Sequence, residues 1–141
     1  MILAEPKLDK LIINLWIDKP IALINNKEVY IDPTNTKVAP FIIPPGRTVV
    51  PIRFISESFG AEVKWEQDTK TIRINLESKN IKITLQVDNK LAKINDKLIN
   101  IDVAPFIKEG RTFVPLRFIS EAFGAKVNWY GSEKKIVIEF E

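Results

Sequence analysis

Arg53 and Glu57 stand four residues apart, as do Arg117 and Glu121, and each pair follows a second arginine, Arg47 or Arg111, that comes directly after a glycine. On a helix, i and i+4 share a face, so each couple can form an ion pair worth roughly 0.2–0.5 kcal/mol. A charged pair present twice invites an active-site reading, but a structural one is preferred. Arg carries enough donors to reach carbonyls of the neighbouring proline-rich loop as well. Arg47 and Arg111 are expected to pair with Asp32 and Asp102, each within its own repeat, before any substrate carboxylate. No Ser or Thr has a histidine to activate it, since the chain contains no His, and five scattered glycines form no phosphate loop. Without His or Cys a zinc, copper or non-haem iron site would need carboxylates alone, which suit hard ions such as calcium better, and no calcium-loop spacing is present. Paired carboxylates such as Glu57 and Glu62 carry no pocket signal around them. No catalytic residue, cofactor or metal is therefore assigned, and the chain is expected not to be an enzyme.

These residues belong to a long stretch that occurs twice. Arg47 to Trp65 aligns with Arg111 to Trp129 at an offset of 64, and of the 19 aligned positions only 49, 52, 58, 62 and 64 differ from their partners. This is an internal duplication, and it governs how the rest of the chain is read. Two units are expected, residues 1–78 and 79–141, packed together because about 65 residues make a marginal lone core.

Within the stretch, Pro51 and Pro115 sit where a first helical position favours proline, and Gly60 and Gly124 where a left-handed cap favours glycine. Between them Ile52, Ile55 and Phe59, matched by Leu116, Ile119 and Phe123, form the apolar stripe of a helix two turns long. Ala61, Val63 and Trp65, like Ala125, Val127 and Trp129, then alternate with polar residues as strands with one buried face. Upstream, Ile13, Leu15 and Ile17 alternate with Asn14 and Trp16, and Asn25-Asn26 marks a hairpin. Four prolines between Asp32 and Gly46 predict an ordered loop without strand or helix. The extra Pro33 to Lys37, absent from the second copy, is expected on the surface. The fold class is α+β: two repeats, each a twisted antiparallel sheet around one short helix.

Composition fits a globular protein, with 45% hydrophobic and 28% charged residues and a net charge of +3. Lysines are scattered, with no basic stripe for nucleic acid, and no apolar run approaches the roughly 20 residues of a membrane span. The opening Met1 to Pro6 is too short for a secretory signal, and both ends resemble cuts near domain edges. The sequence itself specifies no oligomeric state.

The two copies agree at buried positions and diverge outside. Trp16 aligns with Gln86, Leu23 with Lys93, and Tyr30 with Asn100, so the first copy carries an apolar face if these three share one side of a sheet. Such a face marks an interface. It packs against the second repeat or a neighbouring domain, or it presents Trp and Tyr to sugar rings.

The pattern Gly-Arg-Thr-x-Val-Pro-Leu/Ile-Arg-Phe-Ile-Ser-Glu-x-Phe-Gly-Ala-x-Val-x-Trp, at 46–65 and 110–129, resembles the copper amine oxidase N-terminal domain family, also called the stalk domain. The resemblance covers nearly the whole chain and implies a twisted antiparallel sheet wrapped around a helix. In that family copper and the quinone belong to a separate catalytic domain, and neither Tyr30 nor Tyr130 lies in a quinone-like motif. The resemblance further implies a non-catalytic, extracellular or cell-surface module of a larger bacterial protein, a spacer or adhesion element. Its partners would be other domains of that protein or cell-wall components. A carbohydrate- or peptidoglycan-binding role is the alternative.

Overall fold

The computed structural model describes residues 10–141, so the reading of Met1 to Pro6 lies outside the described residues. The chain runs through Leu11–Trp16 (β1), Ile21–Ile24 (β2), Lys27–Tyr30 (β3), Phe41–Ile43 (β4), Arg47–Pro51 (β5), Ile52–Ser58 (α1), Glu62–Glu66 (β6) and Thr71–Leu76 (β7). After a 3-10 turn at Glu77–Lys79, the same order returns. Its elements are Ile81–Gln86 (β8), Leu91–Ile94 (β9), Lys97–Asn100 (β10), Phe106–Lys108 (β11), Arg111–Pro115 (β12), Leu116–Ala122 (α2), Lys126–Tyr130 (β13) and Lys135–Phe140 (β14). The fold is mostly β, with antiparallel sheets and two short helices among the described residues.

Local chemistry explains the turns. Asn25 and Asn26 take φ of 48° and 69°, the left-handed conformation that a two-residue hairpin requires and that Asn tolerates. Asn25 also does something its φ does not reveal. Its Oδ1 accepts the N–H of Ile12 at 2.7 Å, and Asn95 Oδ1 accepts that of Lys82 at 2.9 Å, so each hairpin tip is tied to the strand beside it.

The helices follow the expected stripe. Ile52, Ile55 and Phe59 are buried, as are Leu116, Ile119 and Phe123. Pro51 and Pro115 sit one position earlier than expected: with φ −60° and ψ of 130° and 124° they are extended N-caps that end a strand, and the helix begins after them. Gly60 and Gly124 adopt φ of 88° and 87° just past the helix ends, where any Cβ-bearing residue would be strained.

Two expectations from the sequence change. The proline-rich segment contains a strand, β4, whose three residues lie between Pro40 and Pro44. Proline is excluded from a ladder only where an N–H is needed, and β4 is an edge strand with no proline inside it. The sheets also do not follow the halves of the chain. They run β13-β14-β1-β2-β3, β10-β9-β8-β7-β6 and β11-β12-β5-β4. β1 pairs with β14 from Leu11↔Phe140 to Trp16↔Lys135, and β7 pairs with β8 across residues 78 and 79. A half-chain hairpin buries only one face, and borrowing strands from the other half lets each outer sheet reach five strands around a continuous core.

That core joins the two halves. Phe59 meets Phe123 edge-on at 5.2 Å between ring centroids and Phe140 at 4.6 Å. In the central sheet Val50 faces Val114, Pro51 faces Phe113 and Val49 faces Pro115, a register that reads the same from either half. Phe123 is fully buried, so Phe123→Ala should lower the free energy of unfolding by roughly 3–5 kcal/mol in a urea titration. The Oγ atoms of Ser56 and Ser120 are buried with no hydrogen-bond partner. Ser56→Ala should therefore leave stability unchanged or raise it, and a loss above about 1 kcal/mol in the same assay would contradict that.

Candidate functional site

The arginines singled out by sequence do form ion pairs, with partners that differ from those expected. Arg53 Nη1 meets Glu57 Oε2 at 2.9 Å and Arg117 Nη1 meets Glu121 Oε2 at 3.2 Å, both exposed i,i+4 pairs. Neither arginine serves the proline-rich loop. The carbonyls of Pro40 and Pro105 accept the backbone N–H of Asp18 and Asp88 at 2.7 and 2.8 Å, and Arg117 donates instead to the Val127 carbonyl at 3.4 Å.

Arg47 and Arg111 pair with aspartates of the opposite half, not their own. Arg47 Nε donates to Asp102 Oδ2 at 2.6 Å, and Arg111 Nε donates to Asp32 Oδ2. The reason is the central ladder, which carries each arginine across to the other half. The two bonds are not equal. Pro33 to Lys37 exists only in the first half, and its Thr34 donates N–H and Oγ1 to Asp32 at 2.9 and 2.7 Å while accepting Arg111 Nη2 at 2.6 Å. The Asp32 side chain is 14% exposed against 53% for Asp102. The Arg111 guanidinium, aided by the Thr34 hydrogen bonds against the cost of burial, holds the Asp32 carboxyl well below the usual carboxylate range.

Trp16, Leu23 and Tyr30 do share one face. Asn14 pairs with Leu23, Leu23 with Glu28 and Ile21 with Tyr30, so alternation puts Trp16, Leu23, Tyr30 and Ile21 opposite the buried Ile13, Leu15 and Ala22. Across β14 and β13 the same face continues through Lys135, Val137 and Tyr130. Lys135 Nζ lies 5.6 Å from the Trp16 ring centroid, within cation–π range. Trp16 and Leu23 are half-buried, and Tyr30 is 46% exposed. The corresponding face of the other outer sheet carries Lys64, Arg73, Lys82, Thr84, Gln86 and Lys93. Apolar side chains are fewer there, chiefly Leu91 and Leu98 on β9 and β10.

Sequence reasoning missed a groove. A cavity of about 940 Å³ opens between α1, β3, β6 and the β11–β12 turn, lined by Phe54, Val63, Trp65 and Ile107 with Arg53, Glu57 and Arg111 among the charged groups. Glu57 thus does line a pocket. The available signal was Phe54, an aromatic off the buried helical stripe. Trp65 and Trp129, expected on buried strand faces, are 36% and 45% exposed because the inner face of each strand runs past the edge of the core. Among the described residues no group of three or more His, Cys, Asp or Glu is placed to hold a metal, and no helix is long and apolar enough to cross a membrane.

Antiparallel sheets packed on two short helices, each entered through a proline N-cap, define the class of fold. The profile of the copper amine oxidase N-terminal domain matches residues 4–74 and 23–138 in two overlapping segments, and no catalytic domain of that enzyme is matched. The chain belongs to the copper amine oxidase N-terminal domain family. A relative from Brevibacillus choshinensis, described as "Protease inhibitor", is 30% identical over 80 residues, 57% of this chain. That stretch spans 24% of the relative's own length.

The depressed Asp32 acidity makes stability depend on pH. Its folded pKa lies below its unfolded one, so the unfolded chain binds more protons through that interval and stability falls as pH drops from the ordinary carboxylate range downward. Melting temperature measured from pH 6 to pH 2 should decline in the wild type. In Asp32→Asn the neutral value should be lower and the decline shallower. Asp102→Asn should lower the neutral value less, because its pair is exposed.

Proposed function

We propose that the chain is a non-catalytic interaction module of a larger, extracellular or cell-surface bacterial protein, acting as a spacer or adhesion element through the outer face of the β13-β14-β1-β2-β3 sheet. The observation that carries this reading is the contrast at three aligned positions of two outer sheets of the same construction, Trp16, Leu23 and Tyr30 on one against Gln86, Lys93 and Asn100 on the other. Apolar groups held half-open on a sheet bury on contact, at about 25 cal/mol per Å² removed from water. Aromatic residues beside a few charges are the composition expected of a protein contact.

Membership of an N-terminal domain family without the catalytic domain supports a non-enzymatic role. A relative named as a protease inhibitor supports a protein as the partner, and we assign a neighbouring domain of the parent protein or a wall-associated protein. The aromatic row Trp16, Tyr30 and Tyr130 supports the second reading, a wall polysaccharide stacked on the same face.

Giving the face the residues of the other half tests both. Trp16→Gln, Leu23→Lys and Tyr30→Asn together should leave the melting temperature within a few degrees of wild type and weaken association with the flanking domain, supplied in trans and followed by calorimetry, by roughly tenfold or more. Unchanged affinity in the triple variant would remove this face from the proposal. A saturable Trp fluorescence change on titration with purified wall polysaccharide would move the assignment to the carbohydrate class.

A further inference from the structure

The groove beside α1 is bounded by two sheet edges, β3 on one side and β6 on the other. Ladder parity fixes which main-chain groups these edges leave open. Val87 N–H donates to the Lys70 carbonyl at 3.0 Å, so in β7 residues 72, 74 and 76 bond to β8 while 71, 73 and 75 bond to β6. Their partners in β6 are Glu66, Lys64 and Glu62. Val63 and Trp65 therefore direct both N–H and C=O away from the sheet, while their side chains line the groove.

The second half shows the same parity and a difference. There Val127, the counterpart of Val63, has its carbonyl taken by Arg117. Arg53, the counterpart of Arg117, turns to Glu57, and among the described residues no side chain takes the Val63 carbonyl.

The polar side chains of the groove are mostly committed already. Trp65 Nε1 bonds Gln67 Oε1 at 2.7 Å, Ser58 Oγ bonds the Phe54 carbonyl at 2.7 Å, and Thr34 joins Asp32 and Arg111. Among the described residues, what is left open is a main-chain edge with a two-residue repeat, an apolar wall formed by Phe54, Val63, Trp65 and Ile107, and an excess of positive charge. Arg53, Lys70 and Arg111 line the groove against Glu57 and Asp32. A sugar would meet few free polar side chains here. Another main chain would meet a matching row of donors and acceptors.

We propose that the β6 edge binds an extended peptide segment by strand addition, with apolar side chains at alternate positions on the Phe54–Trp65 wall and an acidic residue toward Arg53 and Lys70. This site meets the outer face of the other sheet at Tyr30, and the strand addition proposed here does not depend on that face. An edge strand left open invites unwanted pairing, and a dedicated occupant turns that liability into a binding site.

The full chain, immobilised, is used to select from a random-peptide display library, with the Val63→Pro chain as counter-selection. Proline at 63 removes an N–H that no ladder bond uses, so the sheet can survive the change. Enriched peptides should show apolar residues at every second position and at least one Asp or Glu. Bound peptide should slow hydrogen exchange at the Val63 and Trp65 amides. N-methylation of one alternate set of peptide amides should weaken binding roughly tenfold and of the other set little, a ligand-side result that holds even if Val63→Pro unfolds. The Trp16→Gln, Leu23→Lys double variant, at two positions outside the groove lining, should bind the peptide as wild type does. The proposal is overturned if no peptide is enriched, if both N-methylated sets bind equally, or if protection appears away from β6. It is equally overturned if wall oligosaccharides, and not peptides, perturb the Trp65 signal.

Discussion

Val50 faces Val114 at the centre of the β5–β12 ladder, and nearly everything else about the molecule depends on that pairing. Because 49 pairs with 115 and 51 with 113, the contact is self-complementary in the way a two-fold dimer interface is, although both sides belong to one chain. Each helix begins directly after its ladder strand, so the same contact sets α1 beside α2 and brings Phe59 onto Phe123. It also delivers Arg47 to Asp102 and Arg111 to Asp32, which turns two local-looking ion pairs into ties between the halves. A short, apolar, buried ladder is well suited to this role, since burial of Val49, Val50, Phe113 and Val114 supplies the stabilisation and the ion pairs add orientation.

On this near-symmetric frame the differences are informative. The five residues from Pro33 to Lys37 bring Thr34 against Asp32 and shield that ion pair, while Asp102 has no such neighbour and remains half-exposed. Arg117 reaches a strand-edge carbonyl and Arg53 does not. At three aligned positions one outer sheet presents Trp, Leu and Tyr where the other presents Gln, Lys and Asn. The inner core stays apolar in both halves: Ile52 and Leu116, or Ala61 and Ala125, fill equivalent places, and Phe113 stands where the first half has Val49. Packing density penalises change inside, and the outside is free to specialise.

Much of the fold was legible because local periodicity and turn chemistry determine it. The strand at Leu11–Trp16, the Asn hairpin, the helical stripe and the glycine caps lie where pattern alone puts them, and the three outward residues do share a face. What was not legible is which half supplies a partner. An offset of 64 shows that Arg47 and Arg111 are equivalent, but equivalence is indifferent to whether Arg111 meets Asp102 or Asp32. The same indifference hid the exchange of strands between outer sheets. The groove escaped notice for a related reason, since its walls come from β3, α1, β6 and the β11–β12 turn, segments as far apart as Tyr30 and Arg111. Proline misled only where its number in a segment outweighed its position: β4 fits between Pro40 and Pro44.

The antiparallel pairing of β1 with β14 places Leu11 beside Phe140. A chain arriving at Leu11 and leaving after Phe140 would enter and exit at one point, with the folded body hanging to the side. Tension between those two ends would load the β1–β14 ladder at its open end and separate it pair by pair, starting from Leu11 and Phe140, because no shear is shared along the strand. A body joined in this way stands to the side of the tether and opens early when pulled. Its value to a larger protein would lie in the surfaces it holds out beside the main thread.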